Sequence, residues 1–172
     1  MKTNAMYLLL VAILGSSLLQ GCTTAIIGGI AAGTNIIHDR RTTGTYVEDK
    51  EILLRAMDLR AASARLQQQS NTSIDVYNLR ILITGQAADN ALVEKFRTQL
   101  QAIPRVREVL NEVEIGAEGT WGDAASDTYL TTKVKIALIN ADIKGFDPLR
   151  VLVTSSLGSV YLMGLLTHAE AD

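Results

Sequence analysis

One pattern occurs twice in this 172-residue chain, and it constrains the fold more than any other feature. In the first copy Ile74 and Val76 alternate with Asp75 and Tyr77, Asn78-Leu79 offers a turn, and Ile81 and Ile83 alternate with Leu82 and Thr84 up to Gly85. In the second, Val151 and Val153 stand for Ile74 and Val76, Val160 and Leu162 for Ile81 and Ile83, and Gly164 for Gly85. Period-two alternation of β-branched residues marks half-buried strands, so each copy reads as a hairpin. The second hairpin pairs 150–154 with 159–163 across Ser155-Ser156-Leu157-Gly158. A pattern that restarts at this distance is an internal repeat of one supersecondary unit.

Helical periodicity surrounds both hairpins. Asp49 is a candidate helix cap, with Glu51 at the positive end of the dipole. Ile52, Ala56, Leu59, Ser63 and Leu66 then share one face, and 67–71 ends the helix. After Gly85, Asp89 or Asn90 caps a second helix whose Leu92, Phe96, Leu100 and Ile103 face one way until Pro104. Val109, Val113 and Ile115 alternate as a third strand, giving the order α-β-β-α-β. Residues 117–125 form a linker containing Trp121, a residue expected to pack on a neighbouring unit. Ser126 or Asp127 caps the next helix, which runs through Asn140 to the second hairpin. The second copy stops at Asp172, where its own second helix should begin. A helix and a hairpin cover their apolar surface poorly, so this half is expected to lean on the first unit, a second copy or a membrane.

The N-terminus is an address. Lys2, the apolar run 6–14 and Gly15-Ser16-Ser17 make the three regions of a signal peptide, and the run is too short to span a bilayer. Leu19-Gln20-Gly21-Cys22 resembles a bacterial lipobox, which implies cleavage before Cys22 and acylation of that cysteine. Thr23 follows, where an aspartate would favour retention in the inner membrane, so the expected location is the outer membrane with the folded part in the periplasm. Residues 22–46 form the lipidated tether, Gly- and Ala-rich at first and ending in Asp39-Arg40-Arg41-Thr42-Thr43-Gly44-Thr45. Cys22 is the only cysteine, which excludes structural disulfides and thiolate metal sites. Lys2 is the sole charge before it, leaving 15 basic against 18 acidic residues and no electrostatic footprint for nucleic acid.

The repeated helix, hairpin and glycine resemble BON domains, periplasmic α-β-β-α-β modules. The whole chain is similar to outer-membrane lipoproteins carrying two of them. The similarity runs through the lipobox, the 39–45 stretch, Val109-Leu110-Asn111-Glu112-Val113, Ser126 to Val134, and Val160-Tyr161-Leu162-Met163-Gly164-Leu165. It implies an α+β fold of two modules, 47–116 complete and 126–172 incomplete (α-β-β). It also implies a role in outer-membrane integrity, phospholipid binding through the helix at 126–140, and proximity to the outer-membrane protein assembly machinery. The chain departs from the family pattern at Tyr129, where a tryptophan is usual, and at Arg105, near where a glycine is common.

The residues of that helix suit a lipid interface on their own terms. With Leu130, Val134, Ala137, Leu138 and Ala141 facing the core, Tyr129, Lys133, Ile136 and Asn140 form an adjacent stripe and Ile139 lies opposite. The expected phospholipid contacts are Tyr129, Lys133, Lys135, Ile136 and Ile139: apolar groups dip in, and each lysine adds about 1 kcal/mol near an anionic surface. In the alternative reading Ile136 and Ile139 pack on the first module. The chain would then be a protein-interaction adaptor or holdase-like factor, with an open strand edge as its docking point and self-association within reach. Catalysis is not expected. His38 and His168 are the only histidines, no nucleophilic cysteine is free, and no hydrolase, metalloprotease or phosphate-loop motif is present. No cofactor or metal is called for.

Overall fold

A computed structural model describes residues 39–116 and 121–171, with side chains from 124 onward in the second stretch; Cys22, the tether before Asp39 and the Trp121 side chain lie outside the described residues. The elements are α1 (Thr43–Ala61), α2 (Ala64–Gln69), β1 (Ser70–Tyr77), β2 (Arg80–Ala87), α3 (Asn90–Gln101), β3 (Glu108–Ile115), α4 (Trp121–Ile139), a 3-10 turn (Pro148–Arg150), β4 (Val151–Ser156), β5 (Ser159–Gly164) and α5 (His168–Ala171). This mixture of helices with two small sheets is an α+β fold.

In the first module β1 pairs antiparallel with β2, and β3 returns parallel to β2 after the α3 crossover. Asp89 caps α3 by accepting from the Ala91 amide. The face of α3 bearing Leu92, Val93, Phe96 and Leu100 packs with Ile52 and Ala56 of α1 over Ile81 and Ile83, which are fully buried. Leu82 and Thr84, on the other face of β2, are buried too. Gly85 is required by geometry: its φ is +112°, and a Cβ would lie 2.1 Å from the Asn71 carbonyl oxygen.

Several boundaries differ from the sequence reading. Helix α1 begins at Thr43, capped by Thr42, whose hydroxyl accepts from the Thr45 amide. Asp49 is therefore inside the helix and caps nothing. The face from Ile52 to Leu66 is split, because Ser63 turns out of the helix and caps α2 by accepting from the Leu66 amide. The second turn is Leu157-Gly158 alone, since Ser155 and Ser156 pair with Val160 and Ser159. Helix α4 starts at Trp121, so the connection read as 117–125 ends earlier and Asp127 is also interior to a helix. Arg105 holds a φ of +72°, the left-handed conformation for which glycine is suited, and its guanidinium pairs with Glu48.

The second module repeats α1-β1-β2 as α4-β4-β5, with β4 and β5 antiparallel. Its helix turns Leu130, Val134 and Leu138 partly inward, whereas Ala137, expected in the buried face, is exposed. A two-stranded sheet is too narrow to cover the stripe that a three-stranded one would. Val153 is the one hydrophobic residue of its hairpin that is fully buried.

Candidate functional site: an exposed helix on a clamped frame

Helix α4 is fixed through a carboxylate. Asp127 accepts from the Leu157 and Gly158 amides, each at 2.8 Å, and these residues form a two-residue turn with φ of +53° and +78°. The first module does the same thing. Asp49 accepts from the Asn78 and Leu79 amides, each at 2.7 Å, and that turn has φ of +52° and +65°. A type I′ turn leaves its backbone N–H groups pointing outward, and a helix-borne carboxylate satisfies both with charge-assisted bonds. Sequence reasoning took both aspartates for helix caps. The signal that distinguishes them was present: Asp49 and Asp127 stand almost the same distance ahead of their respective turns.

Asp49 is also buried and ion-paired. Arg41 reaches it at 2.7 Å and holds Asp39 through its Nε and Nη2, while its guanidinium lies 4.1 Å from the Tyr77 ring centre and 5.3 Å from that of Tyr46. Burial raises the Asp39 carboxyl, but the hydrogen bonds and charge of Arg41 outweigh it and leave the group below its usual value. Arg40, the next residue back, serves the other module. It makes a two-pronged bond to Glu170 at 2.5 and 2.8 Å and a third bond to the Leu165 carbonyl. Glu170 also accepts from the Thr167 amide and hydroxyl and from Arg150. The Arg40 bond is the main cause that lowers the Glu170 pKa to about 2. The Tyr77 hydroxyl donates to the Arg150 carbonyl, and the Thr154 hydroxyl to Asp75. These bonds join the two modules at the point where the tether enters.

On this frame α4 presents its outer side. Tyr129 is 65% exposed, Ile136 53% and Ile139 67%, with Lys133 exposed between them. Tyr129, Lys133 and Ile136 lie on one stripe at i, i+4, i+7, and Ile139 stands beside it, opposite the inward face of the helix. Lys135 is turned away from the stripe and lines an open polar cleft of about 600 Å³ with Asn71, Ser73, Gln86 and Thr131. Neither lysine enters an ion pair with another described residue. Among the described residues no group of three metal-ligating side chains occurs, and His168 is exposed near the end of the chain.

A three-stranded α+β module with one parallel pair, followed by a partial repeat of its first half, defines a class. Residues 56–117, most of the first module, match the BON domain family. Over nearly its whole length the chain is similar to the outer membrane lipoprotein DolP of Haemophilus influenzae, 29% identical over 162 residues that cover 93% of this chain and 82% of that protein. It is also similar to a 21 kDa hemolysin of Actinobacillus pleuropneumoniae, 29% identical over 135 residues, 78% of this chain and 68% of that protein. The chain is thus a homologue of an outer membrane lipoprotein. No helix among the described residues is long and apolar enough to cross a membrane.

Proposed function

We propose that this protein is held in the outer membrane by acylated Cys22, faces the periplasm, and makes a second, reversible contact with anionic phospholipid through α4, supporting outer-membrane integrity. In this reading the region from 126 onward belongs to a second BON module whose helix reads the bilayer surface. One observation carries it: Tyr129, Ile136 and Ile139 are large, apolar and exposed on one side of α4, with Lys133, which pairs with no described residue, exposed among them. A single helix with three exposed apolar side chains and a cation is suited to the headgroup boundary, where the rings and branches bury and the ammonium meets phosphate. Lys135 stands on the cleft side of the helix and joins the contact only at the edge of the footprint. The acyl chains supply most of the affinity, at about 0.8 kcal/mol per buried methylene, and α4 supplies preference for charge. Proximity to the assembly machinery for outer-membrane proteins rests on the similarity to DolP alone.

Vesicle co-sedimentation tests the reading, using chain 23–172, which lacks the anchor. Binding is expected to rise with the fraction of anionic lipid, to weaken at high salt, and to fall about tenfold in Tyr129→Ala/Lys133→Ala. Equal binding of wild type and variant would remove α4 from the contact. Absence of binding by both would leave the acyl anchor as the sole membrane attachment.

A further inference from the structure

The two modules meet along a seam of polar side chains whose hydrogen bonds are not all made. The cleft of about 600 Å³ beside Lys135 shares Ser73, Thr131 and Ser155 with a neighbouring cleft of about 470 Å³. Together they form one groove, with β1 of the first module on one side and α4 and β4 of the second on the other. Arg60, half-buried, stands in one part of it and Lys135, exposed, in the other. Neither cation enters an ion pair with another described residue. Three side-chain atoms along the groove, Arg60 Nε, Thr72 Oγ1 and Gln86 Oε1, are buried and have no hydrogen-bond partner among the described residues. Buried polar groups in folded proteins are nearly always paired, so three orphans in one groove point to a ligand. The carboxylates of the groove are, by contrast, engaged. Asp75 accepts from the Thr154 hydroxyl, and Asp127 from the two amides of its turn.

We propose that this groove binds an acidic saccharide, a short chain of hydroxyl-rich sugar units that carry carboxylates. The open groups dictate that chemistry. Arg60 and Lys135 bring positively charged N–H donors, which are matched by anionic acceptors. Gln86 Oε1 can only accept, so the ligand must also bring a donor, which a bare carboxylate ion lacks. The Thr72 hydroxyl can do either. A sugar acid offers hydroxyl donors, hydroxyl acceptors and carboxylate on one rigid frame. The remaining wall suits it, since Ser73, Thr132 and Ser156 add further hydroxyls. No described lining residue is aromatic, so polar contacts rather than ring stacking carry the affinity, and binding is expected to be weak. The stripe Tyr129–Lys133–Ile136 takes no part, so this site stands or falls separately from lipid binding by α4.

An amide-resolved NMR titration of the full chain in a polyoxyethylene detergent tests this, with a trimer of galacturonate as the probe. Maltotriose, a trimer without charge, and tricarballylate, a polycarboxylate without hydroxyls, are the controls. The galacturonate trimer is expected to shift the signals of 71–73, 86, 131–135 and 155 saturably, at concentrations about tenfold below those either control needs. Arg60→Gln and Lys135→Gln should each weaken it about tenfold, the loss of one charged hydrogen bond, while Tyr129→Ala leaves it unchanged. Signals remote from the groove report whether each variant is folded. Should Arg60→Gln lose the native spectrum, Lys135→Gln, at an exposed position, decides alone. No saturable shift with the galacturonate trimer overturns the proposal, as does binding that neither variant weakens. An equal response to tricarballylate also overturns it, because the groove would then read charge alone. So does saturation by glycerol 3-phosphate where the trimer gives none, which would make the groove a site for phospholipid heads.

Discussion

The two modules share an order of elements and a turn clamp but not a core. In the first, thirteen buried residues from α1, α2, β2, α3, β3 and the turns beside them meet in one cluster. In the second, α4 lies along two strands and, among the described residues, Val153 is the only hydrophobic one brought below a tenth of its free exposure. The difference teaches where the stability of each comes from. The first is held by apolar burial, worth about 25 cal/mol per Å². The second is held by polar points: Asp127 on its turn, Thr131 on Ser155, Thr154 on Asp75, and Glu170 on Arg40. A helix relieved of core packing is free to keep apolar residues on its outer side, which is where a surface contact needs them.

The strongest test of this contrast is a pair of truncations. Phe96→Ala empties the centre of the first core and is expected to destabilise by about 3–5 kcal/mol. Val153→Ala removes two methyl groups from the second and is expected to cost about 1–2 kcal/mol. Chemical denaturation followed by circular dichroism measures both. Equal losses would mean that the second module packs as tightly as the first and that its polar contacts are incidental.

A sharper version compares the two clamps. Asp49→Ala strands two turn amides and leaves Arg41 with Asp39 alone, inside the protein, so about 2–3 kcal/mol is expected. Asp127→Ala strands the same two amides at a partly exposed turn with no arginine involved, and about 1–2 kcal/mol is expected. The order matters more than the values. If Asp127→Ala proved the more damaging, the second hairpin would depend on its turn more than the first does, and the shared geometry would conceal a different division of labour.

Local pattern was enough to read the hairpins, α3 and β3, because alternation and helical spacing are imposed by the neighbouring core and written in adjacent residues. What could not be read was set by residues far apart. Asp49 looks like a cap until the turn it serves, 29 residues on, is known. Thr43 and Gly44 discourage a helix locally, yet Thr42 caps one there and Arg41 ties its start to Asp49. Ser63 fits the apolar face by spacing and breaks it by hydrogen bonding. For the candidate site, the stripe Tyr129, Lys133, Ile136 follows from helical geometry alone. The same geometry turns Lys135 away from that stripe, but the cleft it lines depends on where the first module sits, and that is fixed by Arg40, Tyr77 and Asp75, whose partners lie at the other end of the chain.

The smallest effect expected concerns that last set, and it carries a sign. Glu170 has a pKa of about 2 in the folded chain against 4.5 for the free group, chiefly because Arg40 bonds its ionised form. A carboxylate whose folded pKa is depressed adds stability that is complete above the unfolded value and is lost as pH falls through the folded one. The contribution of Glu170 is therefore full above about pH 4.5 and drains between there and about pH 2. Thermal melts of wild type and Glu170→Gln should differ at pH 6 and converge near pH 2, with the difference smaller than for either aspartate clamp because the Arg40 side is open to solvent. A gap that persists unchanged at pH 2 would show that Glu170 acts by packing α5 onto the second module. The junction between tether and modules would then be held by shape, and only Arg41, enclosed by Asp39, Asp49 and two tyrosine rings, would hold it by charge.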